Sequence, residues 1–278
     1  MITRRELDHY RDHGFIRPQP LLTAAEAARY REACERTCIE VKHDFGRRHA
    51  DNRVKPYLLF PWAAELVRHP GLLDMVEAVI GPDILVFHTT VWIKEAGSEA
   101  FVPWHQDATY FGLDPLEHVT AWVALTASTS EMGCLRLLPG SHREGQLQHR
   151  DRKEDGRVML SRGQTVRRGV DEARAVDLEM APGEVSFHHT LAMHSSGPNR
   201  STGWRIGIGI SYIPAHVRHV SPVRLTASLV RGEDRWGYFD PEPRPEPGGE
   251  EAAAAAHADS MARYWRASES IPEMQGIH

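Results

Sequence analysis

From residue 84 onward the chain runs as short β-branched and aromatic segments separated by turn residues, and this limits what it can fold into. Residues 84–94, ILVFHTTVWIK, form the longest such run. Further strands are predicted at 101–106, 118–126, 134–138, 175–180, 184–188 and 204–213. Glu95-Ala96-Gly97, Pro139-Gly140, Pro182-Gly183 and Gly197-Pro198 punctuate them. No helical pattern lies between consecutive strands. The expected architecture is therefore a sandwich or barrel rather than a parallel α/β sheet.

The first eighty residues read differently. Thr3 is placed to cap a helix over residues 4–13 that stops at Gly14. Thr23 is placed to cap a second, from Ala24 to about Val41, rich in Ala, Glu and Arg. Pro70 suits the first turn of a third, with Leu72, Leu73, Val76 and Val79 at helical spacing and Gly81-Pro82 at its end. Residues 143–174 interrupt the strands with nine Lys/Arg and six Asp/Glu. They read either as a solvated loop or as a lid over a substrate site. Residues 241–249, PEPRPEPGG, read as a semi-rigid linker, and a helix is expected from about Glu250 to Ser268. The expected organisation is one domain over 1–278: a helical part to 82, a β core at 83–213, then linker and C-terminal helix.

Composition narrows the function classes. The chain has 278 residues, 41% hydrophobic and 26% charged, with 33 basic and 38 acidic side chains and a net charge of −5. No basic footprint suggests nucleic acid, and no apolar run is long enough to span a membrane. The opening residues MITRRELDHYRDHG lack the apolar stretch of a signal peptide. Cys34, Cys38 and Cys134 are too few for a disulfide framework, so a cytoplasmic location is expected. Cys34 and Cys38 read as packing thiols, with paired metal or redox duty as the alternative. Histidine is abundant, at 17 against 15 for Phe and Trp together, which directs attention to metal ligation.

The segment Trp104-His105-Gln106-Asp107 carries the chemistry. Residues two apart on a strand share a face, so His105 and Asp107 can offer a nitrogen and an oxygen to one point. His-x-Asp alone is weak, but His194 supplies a second imidazole after a predicted strand. Arg205 follows eleven residues later on an apolar strand, where a buried guanidinium needs an anion. Two His and one carboxylate make the facial triad of non-haem Fe(II) oxygenases, which leaves coordination positions for a 2-oxo acid and O₂. Arg205 suits the remote carboxylate of 2-oxoglutarate, since a guanidinium binds carboxylate bidentately and keeps its charge when buried.

These blocks, with His88-Thr89-Thr90 and the run Gly133 to His142, resemble the phytanoyl-CoA dioxygenase family of Fe(II)/2-oxoglutarate-dependent oxygenases. The resemblance runs from about Glu6 to Ile213. It implies a mainly β fold with flanking α, a double-stranded β-helix (jelly roll) with N-terminal helices packed outside. It implies Fe(II) held by His105, Asp107 and His194, with 2-oxoglutarate and O₂ as co-substrates. It also implies co-substrate contacts from Arg205, Ser196, Trp122 and Thr90, and more loosely from Lys55. For Trp122 core packing is the alternative, and for Ser196 a local turn bond. His142 is expected to bond backbone, His149 to belong to a loop pattern, and one of His188 and His189 to face the core. Thr109, Tyr110 and Phe111 are expected at the pocket mouth.

The expected activity is hydroxylation of an unactivated C–H bond, with succinate and CO₂ as co-products. Related radical oxidations and a non-catalytic metal-binding jelly roll are the alternatives. Halogenases resemble the same family but lack the carboxylate that Asp107 provides. The expected partner is a small molecule or natural-product intermediate, free or linked to a carrier protein or coenzyme A.

Overall fold

A computed structural model describes residues 1–39, 52–150, 155–161 and 163–270. Thr3 and Thr23 cap helices α1 (Arg4–His13) and α2 (Ala24–Cys34). In each, the threonine accepts from the third helical N–H while Glu6 or Glu26 bonds back to the cap, a reciprocal pair that satisfies two orphan donors. Gly14 ends α1 in the left-handed region, where a side chain would be strained. Glu35–Ile39 continue α2 as a π-helical turn, and the expected extension to Val41 lies outside the described residues. Helices α3 (Pro61–Leu66) and α4 (Pro70–Ile80) both start on proline. The C-terminal helix α5 spans Glu250–Ser270.

Two sheets follow. The larger holds β1 (Phe15–Pro20), β2 (Ile84–Lys94), β4 (Val119–Ala124), β7 (Glu184–His189), β9 (Arg205–Pro214), β10 (Thr226–Arg231) and β11 (Asp240–Pro241). Their order is β1-β7-β4-β9-β2-β10-β11, antiparallel except for the last pair. The smaller holds β3 (Val102–His105), β5 (Leu135–Leu137), β6 (Val176–Leu178) and β8 (His194–Ser196), in the order β3-β8-β5-β6. This is the expected jelly roll with helices outside. The strand β1 was not anticipated, because its FIRPQP sequence carries two prolines. It lies at the sheet edge, where a missing N–H is tolerated.

The central strands of the larger sheet are buried on both faces, and alternation divides their residues. On β9, Ile206, Ile208, Ile210 and Tyr212 pack with Leu66, Leu72 and Val76 of the helices. The opposite residues are Arg205, Gly207, Gly209 and Ser211, small except for the arginine, and they leave room inside the roll. On β2 the phase changes midway. Ser211 pairs with His88 and Tyr212 with Val86, so Phe87 is an extra, bulged residue. Val86 therefore faces the helices, and His88, Thr90 and Trp92 face inward.

A buried polar cluster fastens α5 to the roll. Lys55 Nζ donates to Glu242 Oε1 at 2.7 Å and to Ser260 Oγ on α5 at 2.9 Å. Tyr57 Oη and Ser228 Oγ donate to Glu242 Oε2 at 2.7 and 3.0 Å. The proline-rich stretch expected as a linker thus begins in strand β11 and is pinned at its second residue. Lys55, expected as a co-substrate contact, is instead committed to Glu242. Burial opposes the charge on Glu242, but Lys55 and the hydroxyl donors hold its carboxyl below the usual range. Its contribution is therefore full above the ordinary carboxylate pKa of about 4.3 and is lost as pH falls below it. Glu242→Ala leaves a buried ammonium unpaired and should cost about 3–5 kcal/mol in denaturant unfolding at neutral pH. Replacing both partners, Lys55→Met with Glu242→Leu, should recover much of that loss.

Candidate active site

His105 ends β3 and His194 begins β8, and the two are register partners with ring centroids 4.0 Å apart. Nδ1 of His105 donates to the Pro103 carbonyl at 2.9 Å, and Nδ1 of His194 to the Ala192 carbonyl at 3.0 Å. Those bonds set the tautomer and leave each Nε2 lone pair pointing inward. Each Nε2 lies 3.6 Å from Asp107 Oδ1. The three ligand atoms fall within 4.8 Å of one another. Asp107 is not on the strand, as the alternation argument expected. β3 stops at His105, and Asp107 sits in helical conformation at the cap of the turn Ala108–Phe111. That turn, not the pleat, brings its carboxylate to the histidines.

The other oxygen of Asp107 is held in place. Thr120 Oγ1 donates to Oδ2 at 2.7 Å, and His118 Nε2 donates to Thr120 at 3.1 Å. His188 Nε2 donates to the same Oδ2 at 3.2 Å. Burial opposes the charge, yet the hydrogen bond from His188 helps hold the Asp107 carboxyl well below its usual range. Burial and the neighbouring His105 keep His194 neutral far below the usual imidazole range. An ionised carboxylate and a neutral imidazole are the forms that ligate a metal. Thr120 and His118 were missed in the sequence. The available signal was parity: Thr120 and His188 are register partners on inward-facing positions of β4 and β7.

Arg205 lies beyond the triad, buried, with its guanidinium carbon 5.0 Å from the Trp122 ring. Its Nη1 donates to the Gly133 carbonyl and to Ser196 Oγ, the latter at 2.7 Å. Burial lowers its pKa to about 10, so it stays charged at neutral pH. Nε of Arg205 is buried with no partner among the described residues, a donor suited to a carboxylate oxygen. Ser196 Oγ in turn donates to Gly133 O at 2.7 Å, so its role here is to seat Arg205. Gly133 is required: its φ is +67°, and an added Cβ would lie 2.1 Å from the Gly197 carbonyl. Gly207 is required for space, since a Cβ there would meet the Trp122 ring at 2.3 Å.

These groups share a cavity of about 770 Å³. Thr90 and Trp122 line it, as do Tyr110, Phe111, Tyr264 and Trp265. Thr109 does not: it is buried and bonds His149 Nδ1 at 3.1 Å. His149 Nε2 accepts from the Gln106 N–H between the two β3-side ligands. His142 bonds the Arg11 carbonyl, as expected.

Fold and site together define a non-haem iron oxygenase of the jelly-roll class. The sequence profile of the phytanoyl-CoA dioxygenase family matches residues 10–207, and the chain belongs to that family. A probable phytanoyl-CoA dioxygenase from Caenorhabditis elegans is 29% identical over 170 residues, 59% of this chain. The chain spans about half (54%) of that relative's length. A probable alpha-ketoglutarate-dependent hypophosphite dioxygenase from Stutzerimonas stutzeri is 28% identical over 74% of this chain and 77% of its own. The solved structure of the non-heme monooxygenase ThoJ is 35% identical, covers 95% of this chain and 97% of its own, and superposes with a TM-score of 0.83. The cofactors are Fe(II) and 2-oxoglutarate, with O₂.

Thr120→Val keeps the shape and removes the donor to Asp107. Loss of such an outer bond should weaken Fe(II) binding by about 10- to 100-fold, measured by anaerobic titration, with the fold intact by circular dichroism.

Proposed function

We propose that the protein hydroxylates an unactivated C–H bond of a hydrophobic small molecule. The observation that carries this reading is a His–Asp–His cluster, its two histidines buried, opening on the same cavity as a buried arginine without a carboxylate partner among the described residues. His105, Asp107 and His194 would hold Fe(II), and Arg205 would hold the remote carboxylate of 2-oxoglutarate. The bound group supplies oxidising power from O₂, with succinate and CO₂ as co-products. The chain's own work is to bind, orient and exclude water. Trp122 and Thr90 bracket the co-substrate region, and Trp122 covers one face of the guanidinium. Asp107 fills the place that halide needs in the related halogenases, which supports oxygen transfer.

The walls name the substrate's character. Tyr110, Phe111, Tyr264 and Trp265 offer aromatic surface, suited to a small molecule or natural-product intermediate. His88 stacks on Tyr264 with centroids 4.9 Å apart, and its buried Nδ1 has no partner among the described residues. A neutral imidazole there, lowered by burial to about 3, suits an uncharged polar group on the substrate. The buried thiols of Cys34, Cys38 and Cys134 support a cytoplasmic location.

The test is O₂-dependent succinate formation from 2-oxoglutarate, followed by mass spectrometry of products from a panel of natural-product scaffolds in ¹⁸O₂. Arg205→Ala should raise the 2-oxoglutarate dissociation constant by roughly 30-fold or more while sparing Fe(II) binding. An unchanged constant removes Arg205 from the site, and halogenated product from the native protein in high chloride removes the hydroxylase reading.

The loop between β5 and β6 completes the cavity. Within it, His149–Arg150 pair with Thr165–Val166, Val158 bridges Phe101, and Arg157, Met159 and Leu160 reach the lining. We propose that it acts as a lid; residues 151–154 and 162 of the expected loop lie outside the described residues. Limited trypsinolysis should cut here first, and a turnover-verified substrate with Fe(II) and 2-oxoglutarate should slow that cut several-fold. Equal cutting in both states makes the loop inert surface.

A further inference from the structure

Lys94 ends β2 directly opposite Arg205, its register partner on β9. Like charges placed opposite each other on antiparallel strands repel, and both side chains are buried, at 1% and 3% exposure. No carboxylate pairs with either among the described residues. Such an arrangement is unfavourable by itself and calls for an anion that the protein does not supply.

The hydrogen bonds connect Lys94 to the co-substrate region. Its Nζ donates to Ser196 Oγ at 2.6 Å, to Ser196 O at 3.2 Å and to the Gly197 carbonyl. Ser196 Oγ also accepts from Arg205 Nη1 at 2.7 Å and donates to Gly133 O. Both lone pairs and the proton of that hydroxyl are therefore committed. Lys94 fixes the hydroxyl's direction, and the hydroxyl fixes the guanidinium. Asn199 Nδ2 anchors the end of the strand by donating to the Lys94 and Glu95 carbonyls at 3.1 and 2.9 Å.

We propose that Lys94 is a positioning residue of the 2-oxoglutarate site: it seats Arg205 through Ser196 and adds a second positive charge when the remote carboxylate docks. This rests on the assignment of Arg205 in the proposed function. The groups facing Lys94 are Arg205 on β9 and Cys134 in the turn before β5, and burial raises that thiol to about 11, so it is uncharged. Burial and then the Arg205 charge lower Lys94 itself to about 6. Burial and the Arg205 charge oppose the ammonium, while three acceptors around Nζ favour it. A carboxylate arriving against Arg205 favours the ammonium, and the proton comes from solvent.

The test is anaerobic calorimetry of 2-oxoglutarate binding to the Fe(II) protein, for the native chain, Lys94→Met, Lys94→Gln and Arg205→Ala. Lys94→Met should raise the dissociation constant about tenfold. Fe(II) affinity and succinate formation at saturating 2-oxoglutarate should stay within about twofold. Lys94→Gln, which keeps donors but no charge, should fall between. In buffers of different ionisation enthalpy the native protein should take up more protons per 2-oxoglutarate than Lys94→Met. Native 2-oxoglutarate binding in either Lys94 variant overturns the proposal, as does a loss of turnover with binding unchanged. Should neither variant fold, the native protein decides: affinity should tighten as pH falls from about 8 to 6.5, and a flat profile overturns it. Weak binding by Arg205→Ala with native binding by Lys94→Met rejects Lys94 alone; native binding by Arg205→Ala rejects the underlying assignment.

Discussion

Strands buried on both faces at the centre of the larger sheet must serve two masters, and the rest of this structure follows from that constraint. On β9 the outward residues are large and apolar because helices α3 and α4 cover them. After Arg205 the inward residues are glycine, glycine and serine because a cavity has to exist beside them. Gly207 gives up its side chain so that Trp122 can lie flat against the strand. Trp122 in turn shields a guanidinium from water and leaves its edge free. One strand thus provides both the packing that holds the roll together and the hollow in which chemistry can occur.

The polar interior is organised in the same spirit. Backbone carbonyls of Pro103 and Ala192 choose the tautomers of the two histidines before any metal arrives. A hydroxyl and an imidazole fix the carboxylate between them. Each ligand therefore loses little freedom on coordination, which is the physical meaning of a preorganised site. The cost is a set of buried polar groups that must be satisfied together, and the Thr120–His118 and Ser196–Gly133 bonds do this.

Much of the site was legible in the sequence because its members sit in short, ordered blocks. His105, Asp107, His194 and Arg205 were found by residue type and spacing, and the strands 84–94 and 204–213 by β-branched runs. What stayed hidden depended on register. The bulge at Phe87 reverses which β2 residues face inward, and a continuous apolar run gives no sign of it. Thr120, His188 and Lys94 became visible as partners only once strands remote in sequence were paired. Lys55 misled for a related reason: a lysine upstream of the roll can point to the cavity or to the C-terminal helix, and Glu242, some 190 residues away, decides. The edge strand β1 was concealed by its prolines, which are harmless where no neighbour needs their N–H.

The placement of helix α5 divides the molecule along its length. Every group implicated with iron or co-substrate falls within residues 10–207, the stretch that matches the family. Tyr264 and Trp265 stand outside it, yet they form part of the wall nearest the aromatic end of the cavity. The two responsibilities are therefore inherited separately. Drift in α5 can reshape what the enzyme accepts while leaving its oxidative core untouched, provided Ser260 keeps its bond to Lys55. The helix works as an interchangeable die in a fixed press, and exchanging it between relatives is a route to new substrate range without rebuilding the metal centre.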